Sequence, residues 1–183
     1  MAADVDAGLI SIRAAHGPSD IDHIITRHGA LYASEYGWDA KLMEKLVAST
    51  FTEFLGPSHD RTRERLWIAE RGTGGTTADH QATFVGCIML FNDTDDPAHQ
   101  SAMLRLLLVE PGERGKGLGR RLVRQAVEFA REEAGYRRVL LWMPGEMAVA
   151  RSIYQTEGFE KLTEVEHEAF GKKSTAESWG LNF

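Results

Sequence analysis

Arg114-Gly115-Lys116-Gly117-Leu118-Gly119 is the stretch on which the reading of this chain turns. It follows an apolar run, Leu104-Arg105-Leu106-Leu107-Leu108-Val109, that reads as a strand. It opens a helix whose apolar positions are Leu122, Val123, Ala126, Val127 and Ala130. Glycines between a strand and a helix let backbone N–H groups approach a diphosphate closely. The helix start adds unpaired donors and the positive end of the macrodipole. Arg114, Lys116, Arg120 and Arg121 surround the turn with positive charge. A diphosphate-bearing ligand, held on the N–H groups from Gly115 to Arg120, is the expected occupant.

Two common phosphate motifs do not fit. A Walker A loop needs Lys followed by Ser or Thr after its last glycine, and here Leu118 and Gly119 follow Gly117. A dinucleotide fingerprint needs a final Gly or Ala, and the two possible frames put Leu122 or Arg120 there. A nucleotide-binding protein is therefore disfavoured.

The spacing Arg-x-x-Gly-x-Gly after the step Val109-Glu110-Pro111 resembles the coenzyme A loop of the GNAT superfamily of N-acetyltransferases. Further on, Tyr154-Gln155-Thr156-Glu157-Gly158-Phe159 resembles that family's Tyr-x-x-x-Gly-Phe hallmark, and Ala150 also matches. The motif positions span Leu104 to Phe159. The segment from Arg27 to Asp39 is similar to acetyltransferase modules found fused to MarR-type regulators. The family fold is α/β: a mixed, mostly antiparallel central sheet of about seven strands flanked by about four helices. In it the fourth and fifth strands splay apart, and the pantetheine arm lies between them.

The resemblance implies acetyl-CoA as acyl donor and an amine as acceptor, joined by direct attack. The cofactor set it implies is Leu107, Leu108 and Val109 beside the pantetheine, the loop Arg114, Gly115, Lys116, Gly117, Leu118, Gly119 and Arg120, and Tyr154. A strand N–H near Leu107 to Val109 polarises the thioester carbonyl. Tyr154 protonates or hydrogen-bonds the leaving thiolate. Tyr32, Glu35, Tyr36, Trp38, Arg105 and His167, with Phe170, are candidate acceptor contacts. The three aromatic rings with Glu35 suit a cationic amine, while Arg105 suits an acidic group on the acceptor. Trp38 reads equally well as a core aromatic.

The chain departs from the pattern at two points. Met103 and Arg105 stand where many relatives carry a carboxylate base, and Met147 stands where many carry Asn. Of the alternatives for a base, Glu110 reads as an exposed loop acid and Glu35 lies on the acceptor side. His28 lies on an apolar stripe and is read as a satisfied core histidine in preference to a base. An ordered water is a further proton relay.

Composition bounds the remainder. The chain has 183 residues, 43% apolar and 26% charged, which suits one acetyltransferase domain over 1–183. Its formal net charge of −6 argues against a nucleic-acid partner. No apolar run approaches the ~20 residues that span a bilayer. Met1 to Gly8 shows no secretory pattern. The one cysteine, Cys87, lies in an apolar strand and reads as a buried hydrophobe. A cytoplasmic location is expected. No His or carboxylate spacing suggests a metal site. The resemblance is compatible with a homodimer. Competing functions are acylation of a protein N-terminus or lysine, and a non-catalytic acyl-CoA sensor.

The element pattern agrees with the family fold. Strands are expected at 8–14, 65–71, 82–91, 101–109, 138–143, 159–170 and 175–183. A first helix begins at Pro18 with Ser19 as N-cap and is broken by Gly37. A second is capped by Asp39, buries Leu42, Met43, Leu46, Val47 and Phe54, and stops at Gly56-Pro57. The remaining helices are 118–134, closed by Gly135, and 146–157. The segment 72–81 reads as a mobile hairpin loop.

Overall fold

The computed structural model describes residues 9–72, 82–169 and 172–183, without the side chains of 167–169, 172 and 173. The predicted hairpin loop, beyond Gly72, therefore lies outside the described residues. So do Phe170 and the side chain of His167.

The chain runs β1 (Ile10–Ala14), α1 (Pro18–Tyr36), α2 (Ala40–Phe54), β2 (Arg65–Arg71), β3 (Thr83–Asn92) and β4 (Ser101–Val109). It continues through α3 (Leu118–Glu128), β5 (Arg138–Pro144), α4 (Ala148–Thr156), β6 (Glu160–Ala169) and β7 (Lys172–Asn182). The seven strands form one sheet in the order β1-β2-β3-β4-β5-β7-β6. Only the β4–β5 pair is parallel; the other neighbours are antiparallel. This is the mixed α/β architecture expected, with β4 at its centre. A strand covered on both faces must be apolar throughout, as the run from Leu104 to Val109 nearly is.

Helix ends show how local chemistry sets the boundaries. Gly37 closes α1 in the left-handed region, at φ 67°, and its N–H reaches Ala33 O. Asp39 caps α2 by accepting from Leu42 N at 2.8 Å, a contact of about 1 kcal/mol. Ser19 is not the N-cap of α1. Gly17 holds that position, Pro18 enters the first turn, and Asp20 accepts the His16 N–H at 2.8 Å. The carboxylate reaches back from inside the helix and leaves the Ser19 hydroxyl no capping task. The C-terminal part of the third helix, Phe129–Glu133, winds as a π-turn before Gly135 at φ 70°.

The sheet has a core on each face. On the α3/α4 side, Leu118, Leu122, Val123 and Phe129 pack against Leu104, Val139, Leu141 and Tyr154. On the α1/α2 side, Ile24, Leu31, Trp38, Met43 and Val47 pack against Ile68, Cys87, Met89 and Leu108. The buried stripe of α2 is Met43, Val47, Phe51 and Phe54. Leu42 and Leu46 are half-exposed, because Phe51 completes the stripe at four-residue spacing and turns them to its flank. Cys87 is fully buried, and burial pushes its thiol pKa up. It behaves as a small hydrophobe.

One irregularity opens the sheet. β4 and β5 pair only from Ser101–Leu104 against Arg138–Leu141. Leu106 then takes a positive φ of 55°, and the β3–β4 register shifts opposite it, between Cys87 and Met89. Such a bulge bends a strand away from its neighbour. From Arg105 onward β4 runs free of β5.

Candidate functional site

The glycine loop is built from the end of β4. Pro111–Glu113 makes one 3₁₀ turn, and Gly115 and Gly117 follow at φ 75° and 83°. A Cβ built at either glycine meets nothing within 4 Å, so both face open space. The first backbone bond of α3 runs from Arg121 N–H to Gly117 O at 3.0 Å. The amides of Leu118, Gly119 and Arg120 precede it and have no partner within the helix.

The basic side chains of the loop are not free, contrary to the simple picture of a positively charged rim. Arg114 meets Glu35 at 2.8 Å and donates from Nε to Val109 O at 2.9 Å. Arg120 meets Glu157 at 2.5 Å. Lys116 turns back to Glu113 at 3.4 Å, and Glu113 is also paired with Arg71. The donors left for a diphosphate are chiefly backbone amides. The basic groups can add to them by exchanging partners.

A cleft of about 320 Å³ lies beside this loop. It brings together most of the expected cofactor set: Leu107, Leu108, Val109, Arg114, Gly115, Gly117, Leu118, Gly119 and Arg120. Lys116 does not line it, although Glu113, which its side chain meets, does. Tyr32, Glu35 and Tyr36 of α1 form one wall, and Ala150 and Ile153 of α4 part of another. Glu35 thus lines the loop-side cleft and is bound to Arg114.

A second cavity of about 120 Å³ fills the splay between β4 and β5. It shares Tyr32, Leu107, Met147 and Ala150 with the cleft. His28, Trp38, Arg105, Trp142 and Tyr154 complete its chemistry. Trp38 is buried, stacked on Tyr36 with ring centres 5.0 Å apart. It is a core aromatic that also shows an edge to the cavity. Trp142 escaped the sequence reading. Strand alternation sets it opposite Leu141 and Met143, and the splay makes it part of a cavity wall.

Tyr154 is 6% exposed, and burial raises its phenol pKa. It stays protonated at neutral pH. Its ring packs on Phe159, centres 5.6 Å apart. Met147 is the N-cap residue of α4, with no side-chain cap, and packs into both cores.

The three acids and bases weighed above separate clearly. Glu110 is gripped by Arg27 through two contacts of 2.6 Å, so it anchors the strand exit to α1. Glu35 is taken by Arg114. His28 is only half satisfied as a core histidine. Its Nδ1 lies 2.9 Å from Ile24 O. A carbonyl can only accept, so Nδ1 carries the proton and Nε2 presents a bare lone pair. That Nε2 is buried and has no hydrogen-bond partner among the described residues.

Burial pushes the His28 pKa down to about 4 from an ordinary 6.5. The unfolded chain then binds more protons than the folded one between those values, so stability is retained above pH 6.5 and lost as pH falls toward 4. The loss is about 3 kcal/mol by linkage. Urea unfolding of wild type and His28→Gln at pH 7, 5.5 and 4.5 checks this. The wild-type midpoint falls more steeply than the variant's. Parallel pH dependence in the two proteins would contradict the assignment.

The acetyltransferase (GNAT) family model matches residues 40–159. The chain belongs to this family. Human (Homo sapiens) N-acetyltransferase 8 is 32% identical over 99 residues, 53% of this chain and 43% of that protein. The matched part thus spans under half the length of this curated relative. Among solved structures, a protein provisionally identified as a phosphinothricin N-acetyltransferase superposes with a TM-score of 0.71 at 20% identity, covering 95% of this chain and 98% of the other. Spermidine N-acetyltransferase from Vibrio cholerae, in complex with CoA and spermine, superposes with a TM-score of 0.67 at 17% identity, covering 94% and 95%. At these identities the likeness is one of GNAT fold. Among the described residues, no cluster of His, Cys, Asp or Glu could hold a metal ion. No described helix is long and apolar enough to cross a membrane.

Proposed function

We propose that this chain is an acetyl-CoA-dependent N-acetyltransferase that acetylates the primary amine of a small molecule by direct attack. One observation carries the reading: the cleft at the glycine loop and the cavity in the strand splay meet along Tyr32, Leu107, Met147 and Ala150. A donor entering past the loop and an amine entering from the other side converge there.

Acetyl-CoA supplies the activated acyl group; the amine nitrogen bonds to its carbonyl carbon, the carbon–sulfur bond breaks, the nitrogen gives up one proton, and on balance that proton leaves with the sulfur as the free thiol. The open space at Gly115 and Gly117 and the free amides at the start of α3 suit its diphosphate. The free edge of β4 at Leu107 to Val109 suits a pantetheine amide pairing as an added strand. Tyr154 holds its proton and hydrogen-bonds the departing sulfur. His28 Nε2, uncharged at neutral pH, accepts a hydrogen bond from the amine or from a water beside it. Its low pKa makes it a better orienting acceptor than proton store. The cavity's small volume and its walls of α1, α2, β4 and β5 favour a small acceptor over a polypeptide.

Release of CoA thiol against a panel of amines tests the proposal. Release that depends on the acceptor is the expected result. Tight acetyl-CoA binding with no release for any acceptor would contradict it and favour a sensor.

A further inference from the structure

Among the described residues, two buried side-chain nitrogens have no hydrogen-bond partner: His28 Nε2 and Arg105 Nε. Both residues line the cavity in the strand splay. Their chemistry is opposite, since His28 Nε2 can only accept and Arg105 can only donate.

Arg105 is unusual in this molecule. Arg13, Arg27, Arg114 and Arg151 each meet a carboxylate at 2.6 to 2.8 Å. Arg105 has no ion pair or hydrogen bond among the described residues, although its Nε is sealed from solvent. Glu53 and Asp93 act on it only through space. A guanidinium N–H withdrawn from water without a partner is costly. The arrangement makes sense if the partner arrives with a ligand.

The cavity lining defines that partner. Among the described residues, Arg105 is the only formally charged one lining this cavity, since His28 is neutral; Glu53, Asp93 and Asp95 line a separate groove that Arg105 also borders. A second cation on the acceptor finds no counter-charge in the cavity, whereas an anion finds Arg105. Arg105 precedes Leu107 by two positions, at most about 7 Å along a strand, and the positive φ of Leu106 between them shortens that step. Leu107 lines both cavities, so an anion at Arg105 and an amine near the junction fit within one compact molecule.

We propose that the acceptor is an amino-acid-like zwitterion, a compact amine that also bears an anionic group such as a carboxylate, received by Arg105 while the amine faces His28. The proposal rests on the transferase reading for the fate of the amine but not for its binding.

Matched acceptors test it: leucine with isoamylamine, phenylalanine with phenethylamine and methionine with 3-(methylthio)propylamine, with spermidine alongside. CoA release and calorimetric binding to CoA-loaded protein are measured for wild type, Arg105→Gln and Arg105→Lys. At least one carboxylated member should exceed its partner in kcat/KM by roughly 30-fold or more, the scale of a charge-assisted bidentate contact. Arg105→Gln should erase the difference through KM, with kcat within about threefold. Arg105→Lys should restore part of it. The melting temperature of Arg105→Gln should not fall, because the change removes a buried N–H that has no partner; a purely structural arginine would lower it. Equal use of both members, a preference that survives Arg105→Gln, or spermidine as best acceptor would overturn the proposal. So would absence of binding and release for every pair. Carboxylate-dependent binding without thiol release would uphold it and sink the transferase reading instead.

Discussion

Phenylalanine at position 154 is expected to lower kcat for acetyl transfer by about 100-fold, the lower end of general-acid effects. The dissociation constant for acetyl-CoA should move by less than about threefold, since the lost group acts on sulfur only as it departs. The fold should tolerate the change. Tyr154 is buried among apolar side chains and its ring packs on Phe159, contacts that phenylalanine keeps. The hydroxyl alone is removed, from a residue that lines the cavity where α4 meets the strand splay. Because burial raises the phenol pKa, full proton transfer to a thiolate of ordinary pKa is uphill. A hydrogen bond that strengthens as charge develops on sulfur is the larger part of the effect. Steady-state rates and calorimetry on the same preparation separate the two quantities. A variant with wild-type kcat would reduce Tyr154 to packing.

Valine at Gly117 is expected to weaken acetyl-CoA binding by about 100-fold, equivalent to about 2.7 kcal/mol. Gly117 holds φ 83° immediately before α3, a conformation that costs a residue with a Cβ about 1–2 kcal/mol and a β-branched one more. The new side chain would also project into the open space through which a phosphate reaches the amides. Gly112→Ala is the matched control. It adds a Cβ nearby, also into open space, but at a residue absent from the positive-φ set, and its affinity should stay within about threefold. Calorimetric titration of CoA reads both. Equal affinities for wild type and Gly117→Val would mean that the loop does not hold the diphosphate.

The fold was legible because its signals are local. The glycine turn after an apolar strand, Gly37 and Asp39 between the first two helices, and the apolar stretch inside Arg65–Arg71 each carry a signal of their own. The resemblance at the two motifs supplied the mixed, mostly antiparallel sheet and its splay, and the family match covers both motifs. The site was legible on its loop side for the same reason. Its other half depends on the bulge at Leu106, where an ordinary leucine takes a positive φ and nothing in its neighbours announces it. Without that bulge, Trp142 reads as one more alternating strand residue and Arg105 as an oddity in an apolar run. Long-range charge pairing was equally hidden. Arg114 finds Glu35 from another helix and Arg120 finds Glu157, so a basic loop in the sequence becomes a largely neutralised one in space. The stripe of α2 was misassigned to Leu42 and Leu46 because leucine at consecutive turns imitates a core face until Phe51 is counted.

The central claim is that this chain moves an acetyl group from acetyl-CoA to an amine. The most direct measurement uses acetyl-CoA labelled at the acetyl carbonyl, incubated with the protein and an amine panel, with products followed by mass spectrometry. The account predicts label on the acceptor nitrogen in step with free CoA, and about 100-fold slower appearance with Tyr154→Phe. Label that remains in acetyl-CoA, or appears only as acetate, with every acceptor would contradict it.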